Sequence, residues 1–379
     1  VAPPLMVAKK EENPEEKAYK RQQVEEVMQV VSKDKHNSVS DMVDDIIQKK
    51  TTDFDKARAL FIWLSSKDLK TLTFSNSEPG SDEDKLTGLQ KGQTTYAQVY
   101  QLLCRNAGID CELIHGYAKG VGYKPGMKFV GDNFRHSWNA VKIKGEWKLV
   151  DPNWGARHVV GKKEGSPEPE VEASDENTVY ELDEYYFLPE PWELIHSHFP
   201  DEPEWQLREP ITKEQFENLV LCKSPFFKHN LRIASHTDSV ITVNKEAEIK
   251  LQCPEDGKDR LVFIFTLSYA DSLDAAKDSY QGTPLGKFGM QRMAGNLSSV
   301  IIRPPKAGEY RLVIHVKDLS KPQRVPGKFF YSEVCEYGIL VKDAYSPARP
   351  FPPCSHTSWG KGDSMTRYSS DLSPQSPNV

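Results

Sequence analysis

The residues best placed to do chemistry are His136 and Asp151, in the stretch from Arg135 to Gly155, RHSWNAVKIKGEWKLVDPNWG. Strand-forming residues flank Lys144-Gly145, and a glycine there suits the positive φ of a tight hairpin turn. With those two residues as the loop, Ile143 faces Glu146, Trp138 faces Asp151 and His136 faces Asn153. Strand side chains alternate between faces, so His136, Trp138 and Asp151 share one side of the sheet. Diagonal neighbours on one face sit roughly 7–8 Å apart, within side-chain reach. A histidine oriented by a carboxylate is two-thirds of a nucleophilic triad. An ordinary hairpin carrying two polar residues is the plain alternative, and a third member upstream must decide between them.

The element that would carry it reads KGQTTYAQVYQLLCRNAGIDCELIHGYAKG. Gly92 breaks the preceding segment, and Gln93 or Thr94 can open a helix. Tyr96, Val99, Tyr100, Leu103 and Cys104 recur at helical spacing, and Gly108 ends the run. A strand from Cys111 to Tyr117 follows. The N-terminus of a helix favours negative charge, hence a thiolate, but what stands there is Gln93 with Thr94 beside it. Cys104 lies about three helical turns further on, roughly 16 Å along the axis, too far to substitute. Cys111 reads as a buried small hydrophobe.

Around this pair the chain supplies packing elements. Glu15 to Lys33, Asp41 to Lys49 and Asp55 to Ser66 read as amphipathic helices, the last with a stripe of Ala59, Leu60, Trp63 and Leu64. Ser75 to Asp84 reads as a turn-rich acidic loop, and Gly161 to Asp183 as an acidic, Pro-bearing mobile insertion. The aromatic connector DEYYFLPEPWELIHSHFPDEPEWQL holds Tyr185, Tyr186, Phe187, Trp192, Phe199 and Trp205. So much apolar surface is expected to pack between two domains rather than swing free. His196-x-His198 within it suggests a metal only weakly, because two histidines without a third ligand are usually structural. Short apolar segments from Ile233 to Val341, separated by Gly, Pro, Asn and Asp turns, predict a β-sandwich. From Ser346 the chain is rich in Ser and Pro and reads as disordered. Gly120-x-Gly122 lacks a following helix, so a phosphate loop is not supported.

Composition bounds the function. The 379 residues allow two or three domains, and 38% hydrophobic with 27% charged residues suits a soluble protein. A net charge of −6 without a basic cluster argues against nucleic acid as the main partner. No apolar run approaches a membrane span. The six cysteines, Cys104, Cys111, Cys222, Cys253, Cys335 and Cys354, show no CxxC spacing and form no disulfide framework. A reducing, cytoplasmic setting is favoured, cytoskeletal association is compatible with it, and an extracellular setting stays open. Because the chain begins at Val1, the lack of a signal peptide says little. Neither a cofactor nor a metal is expected.

HSWNAVKIKGEWKLVDPNWG resembles the His and Asp motifs of the transglutaminase-like domain, a papain-like cysteine-enzyme fold, and TTYAQVYQLLCRNAGIDCELIHGYAKGVGY resembles the helix and strand after its catalytic Cys. YYFLPEPWELIHSHFPDEPEWQL narrows the resemblance to the kyphoscoliosis peptidase and hillarin group, whose members carry a β-rich region after the domain. The resemblance covers roughly Asp41 to Val341. It implies an α+β chain: a papain-like transglutaminase-type α/β domain with N-terminal helices, then a β-sandwich domain. The expected divisions are 1–36 (polar lead and first helix), 37–207 (transglutaminase-like domain and connector), 208–345 (β-sandwich) and 346–379 (tail).

Carried over by position, His136 falls on the family's catalytic His and Asp151 on its catalytic Asp. Counting back from Tyr96-Ala97 puts Gln93 at the nucleophile position, and a one-residue slip that keeps Gly92 in register puts Thr94 there. Neither is Cys. A glutamine amide cannot form an acyl intermediate, so the resemblance implies a vestigial triad, with the Gln93–Thr94 segment facing His136 from a helix start. The expected function is that of a non-catalytic protein-binding or cytoskeletal scaffold module. The alternative is an active papain-like cysteine peptidase or protein-glutamine acyltransferase using the His136/Asp151 pair. Partners are expected to be proteins.

Overall fold

The computed structural model describes residues 13–159, 178–180, 182–320, 331–352 and 359–360. It divides into two units: residues up to Tyr123 together with Lys128–Phe216, and Lys124–Met127 together with everything from Glu217 onward.

Three helices open the first unit: α1 (Pro14–Val31), α2 (Val39–Ile47) and α3 (Asp53–Ser66). Each begins at a polar cap. The side chains of Asn13, Ser38 and Thr52 accept the backbone N–H groups of Glu16, Asp41 and Asp55, three residues on. The sequence suggests a one-sided stripe on α3, but every residue from Ala57 to Ser65 is buried, Arg58 included. A helix buried all round is the centre of its unit. The Arg58 guanidinium is tolerated there because Glu184 Oε2 accepts from Nη2 at 2.6 Å and Gln23 Oε1 from Nη1 at 2.7 Å. The segment read as a turn-rich loop contains a short helix, α4 (Asp82–Gly88), capped by Ser81. Its three leading acidic residues, Asp82, Glu83 and Asp84, suit a helix N-terminus. The helix α5 (Tyr96–Asn106) packs against α3, and Tyr100 donates its hydroxyl proton to Ala57 O at 2.9 Å.

Four strands form the largest sheet of this unit: β1 (Cys111–Ala118), β2 (Arg135–Ile143), β3 (Glu146–Val150) and β4 (His198–Pro200). They run antiparallel in the order β3-β2-β1-β4. The β2–β3 hairpin has the register read from the sequence, with Ile143 opposite Glu146. Both loop residues take positive φ, Lys144 at 52° and Gly145 at 84°, as a two-residue turn of this hand requires. The short helix α6 (Pro152–Ala156) follows directly.

The aromatic connector packs into the core of this first unit. Phe187 packs on Phe54 and Phe61 at ring-centre distances of 5.7 and 5.4 Å, and Trp205 meets Trp147 at 5.5 Å. Leu188 N donates to Leu149 O, and Asp151 N to Tyr186 O. The insertion read at Gly161 to Asp183 lies largely outside the described residues.

The second unit is β-rich. One sheet joins β5 (Leu221–Cys222), β7 (Val240–Val243), β9 (Leu261–Tyr269), β12 (Gly308–Asp318) and β13 (Ser332–Val341). Its main path is β7-β13-β12-β9, with β5 also on β13. The other has the order β6-β8-β11-β10-β14: β6 (Arg232–Ile233), β8 (Ala247–Gln252), β11 (Leu297–Ile302), β10 (Gly289–Ala294) and β14 (Trp359–Gly360). In the tail, Phe351 N donates to Lys287 O and β14 bridges to β10. The tail reading at 353–358 and 361–379 lies outside the described residues.

One glycine decides how closely β4 approaches. A Cβ built on Gly116 would lie 2.2 Å from Phe199 O and 2.7 Å from Trp138 Cη2. Both neighbours are held, one by the backbone and one by full burial. Gly116→Ala is therefore expected to destabilise the protein by roughly 1–3 kcal/mol, the range of core overpacking, and to loosen β4 from β1. Thermal melting and amide exchange across His198–Pro200 check this. An unchanged melting midpoint would show that the strand pair has slack.

Candidate active site

Asp151 sits where β3 gives way to α6, and its carboxylate is fully buried. Oδ1 accepts the backbone N–H groups of Asn153 (2.9 Å) and Trp154 (3.0 Å), so the first turn of α6 closes on the side chain just before it. Oδ2 takes two imidazoles, His136 Nε2 at 2.6 Å and His198 Nε2 at 2.9 Å. Four donors saturate the acceptor positions of an ionised carboxylate. Burial works against the charge, but the His136 charge and the hydrogen bonds of both imidazoles outweigh it. The Asp151 pKa is held well below the usual carboxylate range.

The hairpin parity accounts for His136 and Asp151 meeting. His198 arrives from much later in the chain. On β1, Gly116 pairs with His136 of β2 on one side and with Pro200 of β4 on the other. His198, two residues from Pro200, lies on the same face as Pro200. Because Gly116 has no side chain, the two imidazoles approach across it to a ring-centre distance of 5.5 Å. Trp154 at 4.4 Å and Trp138 at 5.1 Å wall in His198. Burial pushes its pKa down, more than the Asp151 contact raises it. A neutral His198 that donates from Nε2 must accept at Nδ1, and Ser197 Oγ lies 2.8 Å away to donate there.

The sequence singles out His198 only as half of a weak His-x-His metal signal. No local signal could have found its role, which depends on β4 pairing with β1. His136, Asp151 and His198 do form a two-imidazole, one-carboxylate set with ligand atoms within 4.8 Å of one another. In the observed geometry those atoms satisfy one another as hydrogen bonds. His196 is not part of the set.

In front of His136 opens a cavity of about 230 Å³ lined by Thr95, Tyr96, His115, Arg135, His136, Ser137 and Asn153. Asp201 holds Arg135 through two short hydrogen bonds, and His115 Nδ1 meets Ser137 Oγ at 2.8 Å. Gln93 and Thr94, expected to face His136 from the helix start, are not in this wall. The helix begins later: Thr95 is the N-cap of α5 and forms a reciprocal capping box with Gln98. Gly92, at φ 66°, turns the residues after it back, so that Gln93 N donates to Gly88 O and Thr94 Oγ1 to Lys85 O. The segment that faces the cavity is Thr95–Tyr96.

A helix start set against a His–Asp pair on a neighbouring hairpin is the frame of a papain-like acyl-transfer site, here with no thiol among the described residues of the wall. The profile of the transglutaminase-like superfamily matches residues 40–152, and that of the KY-like, immunoglobulin-like domain matches residues 213–352. Hillarin of Drosophila melanogaster is 32% identical over 336 residues, covering 87% of this chain and 41% of the relative. The Lim and transglutaminase domain protein ltd-1 of Caenorhabditis elegans is 32% identical over 329 residues, covering 85% and 44%. Mouse kyphoscoliosis peptidase is 29% identical over 308 residues, covering 80% and 40%. The chain belongs to the transglutaminase-like superfamily, in the kyphoscoliosis peptidase and hillarin group, and spans about two fifths of the length of these relatives.

Two measurements test this geometry. A cysteine placed at Thr95 would sit at the helix cap and in the cavity wall, whereas one at Gln93 would not. Thr95→Cys is expected to react with iodoacetamide well below the pKa of about 8.5 of a free thiol, and His136→Ala should slow it. Gln93→Cys is expected to titrate as an ordinary thiol, so equal rates for the two variants would refute this placement.

The second measurement is acid stability. His198 has a folded pKa below its reference of 6.5, so the unfolded chain takes up the proton first and stability falls as pH drops below that reference. Asp151 also has a depressed pKa. Its contribution is present above the ordinary carboxylate value of 3.8 and is lost as pH falls through the folded value. His36, His236 and His315 share the direction of His198, so the readout is a difference. His198→Gln, which keeps an amide donor for Asp151, should flatten the decline of the melting midpoint between about pH 7 and pH 5. Parallel curves for variant and wild type would show that His198 does not titrate on unfolding.

Proposed function

We propose that this chain is a non-catalytic transglutaminase-like protein whose α/β and immunoglobulin-like units serve as protein-binding surfaces in a cytoskeletal scaffold. The observation that carries the reading is the composition of the cavity wall. His136 is oriented by Asp151, yet no thiol among the described residues lines the space before it. The described cysteines of the first unit do not fill the role. Cys104 is buried within α5, and the hydrogen bond to Cys104, together with burial, pushes the Cys111 thiol well above its ordinary pKa. The Thr95 hydroxyl is engaged as a cap, accepting Gln98 N–H at 3.2 Å.

The name of the mouse relative favours the competing reading, an active peptidase or protein-glutamine acyltransferase working through His136 and Asp151. A papain-like reaction needs a thiol activated by the imidazole, and none lines the cavity among the described residues. The test is incorporation of a labelled primary amine into a glutamine-rich protein, together with cleavage of an unfolded protein substrate. Neither is expected to exceed the level given by His136→Ala. Turnover that His136→Ala abolishes would overturn the reading. Crosslinking pull-downs with wild type and His136→Ala should capture the same cytoskeletal proteins, because recruitment rests on surface and not on chemistry. Capture that depends on His136 would count against that part.

A further inference from the structure

Two of the cysteines in the second unit face each other across neighbouring strands. Cys222 lies on β5, a strand of two residues at the start of the unit, and Cys335 lies on β13, its last long strand. They are direct cross-strand partners in an antiparallel ladder. Lys223 N donates to Val334 O at 2.9 Å. This bond joins the residue after Cys222 to the residue before Cys335, which makes the cysteines a non-hydrogen-bonded pair. Such pairs bring Cα atoms to about 4.5 Å with side chains converging on one face. Disulfides span Cα separations of roughly 4.4–6.8 Å. No backbone movement is therefore needed to join them.

Both side chains are buried, at 1% and 0% exposure, and both are thiols. Burial, with Cys222 beside it, pushes the Cys335 thiol well above its ordinary pKa. The pair is thus inert while β5 stays docked. A two-residue strand on the edge of β13 has few bonds to break, so local opening of β5 is the route by which an oxidant reaches Cys222.

We propose that Cys222 and Cys335 are a redox modification site, closing to a cross-strand disulfide in the presence of a small-molecule disulfide and reopening under thiol reductants. The Cys222 thiolate attacks one sulfur of the oxidant and expels one thiolate, leaving a mixed disulfide. The Cys335 thiolate then attacks the Cys222 sulfur, the bond to the small thiol breaks, and the second thiolate leaves. Two electrons pass to the oxidant, and the two thiol protons end on the two released thiolates. The bond would join the segment Glu217–Cys222, through which the chain enters this unit, to a strand near the unit's end. Nearly the whole immunoglobulin-like unit lies inside the loop so closed, the case in which a crosslink restrains the unfolded chain most.

The full chain is incubated with oxidised glutathione, quenched by alkylation and mapped by non-reducing proteolysis and mass spectrometry. The expected product has lost two hydrogens and yields a linked peptide pair containing residues 222 and 335, separable by dithiothreitol. The melting transition of the second unit should rise by several degrees on oxidation, and Cys222→Ser or Cys335→Ser should abolish the rise. If either variant fails to fold, the peptide map of the wild type decides alone. Full alkylation of Cys222 and Cys335 after denaturation, a glutathione adduct that never resolves to the internal bond, or a crosslink confined to Cys104 and Cys111 would each overturn the proposal.

Discussion

A single buried carboxylate orders the functional half of this molecule. Asp151 has four N–H donors, two from the backbone of α6 and two from imidazoles brought by different strands. A charge this deep in a protein is costly unless every lone pair is satisfied. Removing either histidine would leave part of that charge unmatched, and melting the first turn of α6 would leave the rest. The hairpin, the short helix and β4 are therefore tied together by one group. The site geometry and the stability of the first unit are the same problem.

This coupling lets such a frame persist on stability grounds alone, independently of what lines the cavity before His136. A thiol at the helix start contributes little to packing, because the position faces a cavity. The His–Asp–His cluster is internal, and its loss would cost stability whether or not the protein turns anything over. Retention of the pair is accordingly weak evidence for catalysis, and the cavity wall is the better witness.

Much of this was legible in the sequence because it is local. The Lys144-Gly145 turn sets the register of β2 against β3, and parity then brings His136 to Asp151. The family resemblance rests on the same local motifs. What stayed hidden depends on distant pairing or on a choice among similar neighbours. His198 enters through β4, Gly116 matters because two strands press on it from one side, and the fully buried α3 shows a stripe only if its C-terminal packing partners are unknown. In the run Gln93-Thr94-Thr95, counting from the Tyr-Ala pair picks the first residue. The Thr95-x-x-Gln98 capping box, also readable, picks the third, and backbone hydrogen bonding decides for it. Helix α4 was signalled as well, by Ser81 before three acidic residues, but its charge made it read as a loop.

The burial of α3 has a consequence in time. Arg58 finds its carboxylate on Glu184, 126 residues later in the chain. At synthesis rates of roughly 5–20 residues per second, that partner leaves the ribosome on the order of 6–25 s after Arg58 does. Through that interval the central helix has been made, but not everything that will surround it. Its guanidinium stays hydrated meanwhile, but its apolar faces lack part of their final cover. The all-round burial of Ala57–Ser65 thus sets an order of assembly, in which the centre of the first unit is made well before the last residues that cover it.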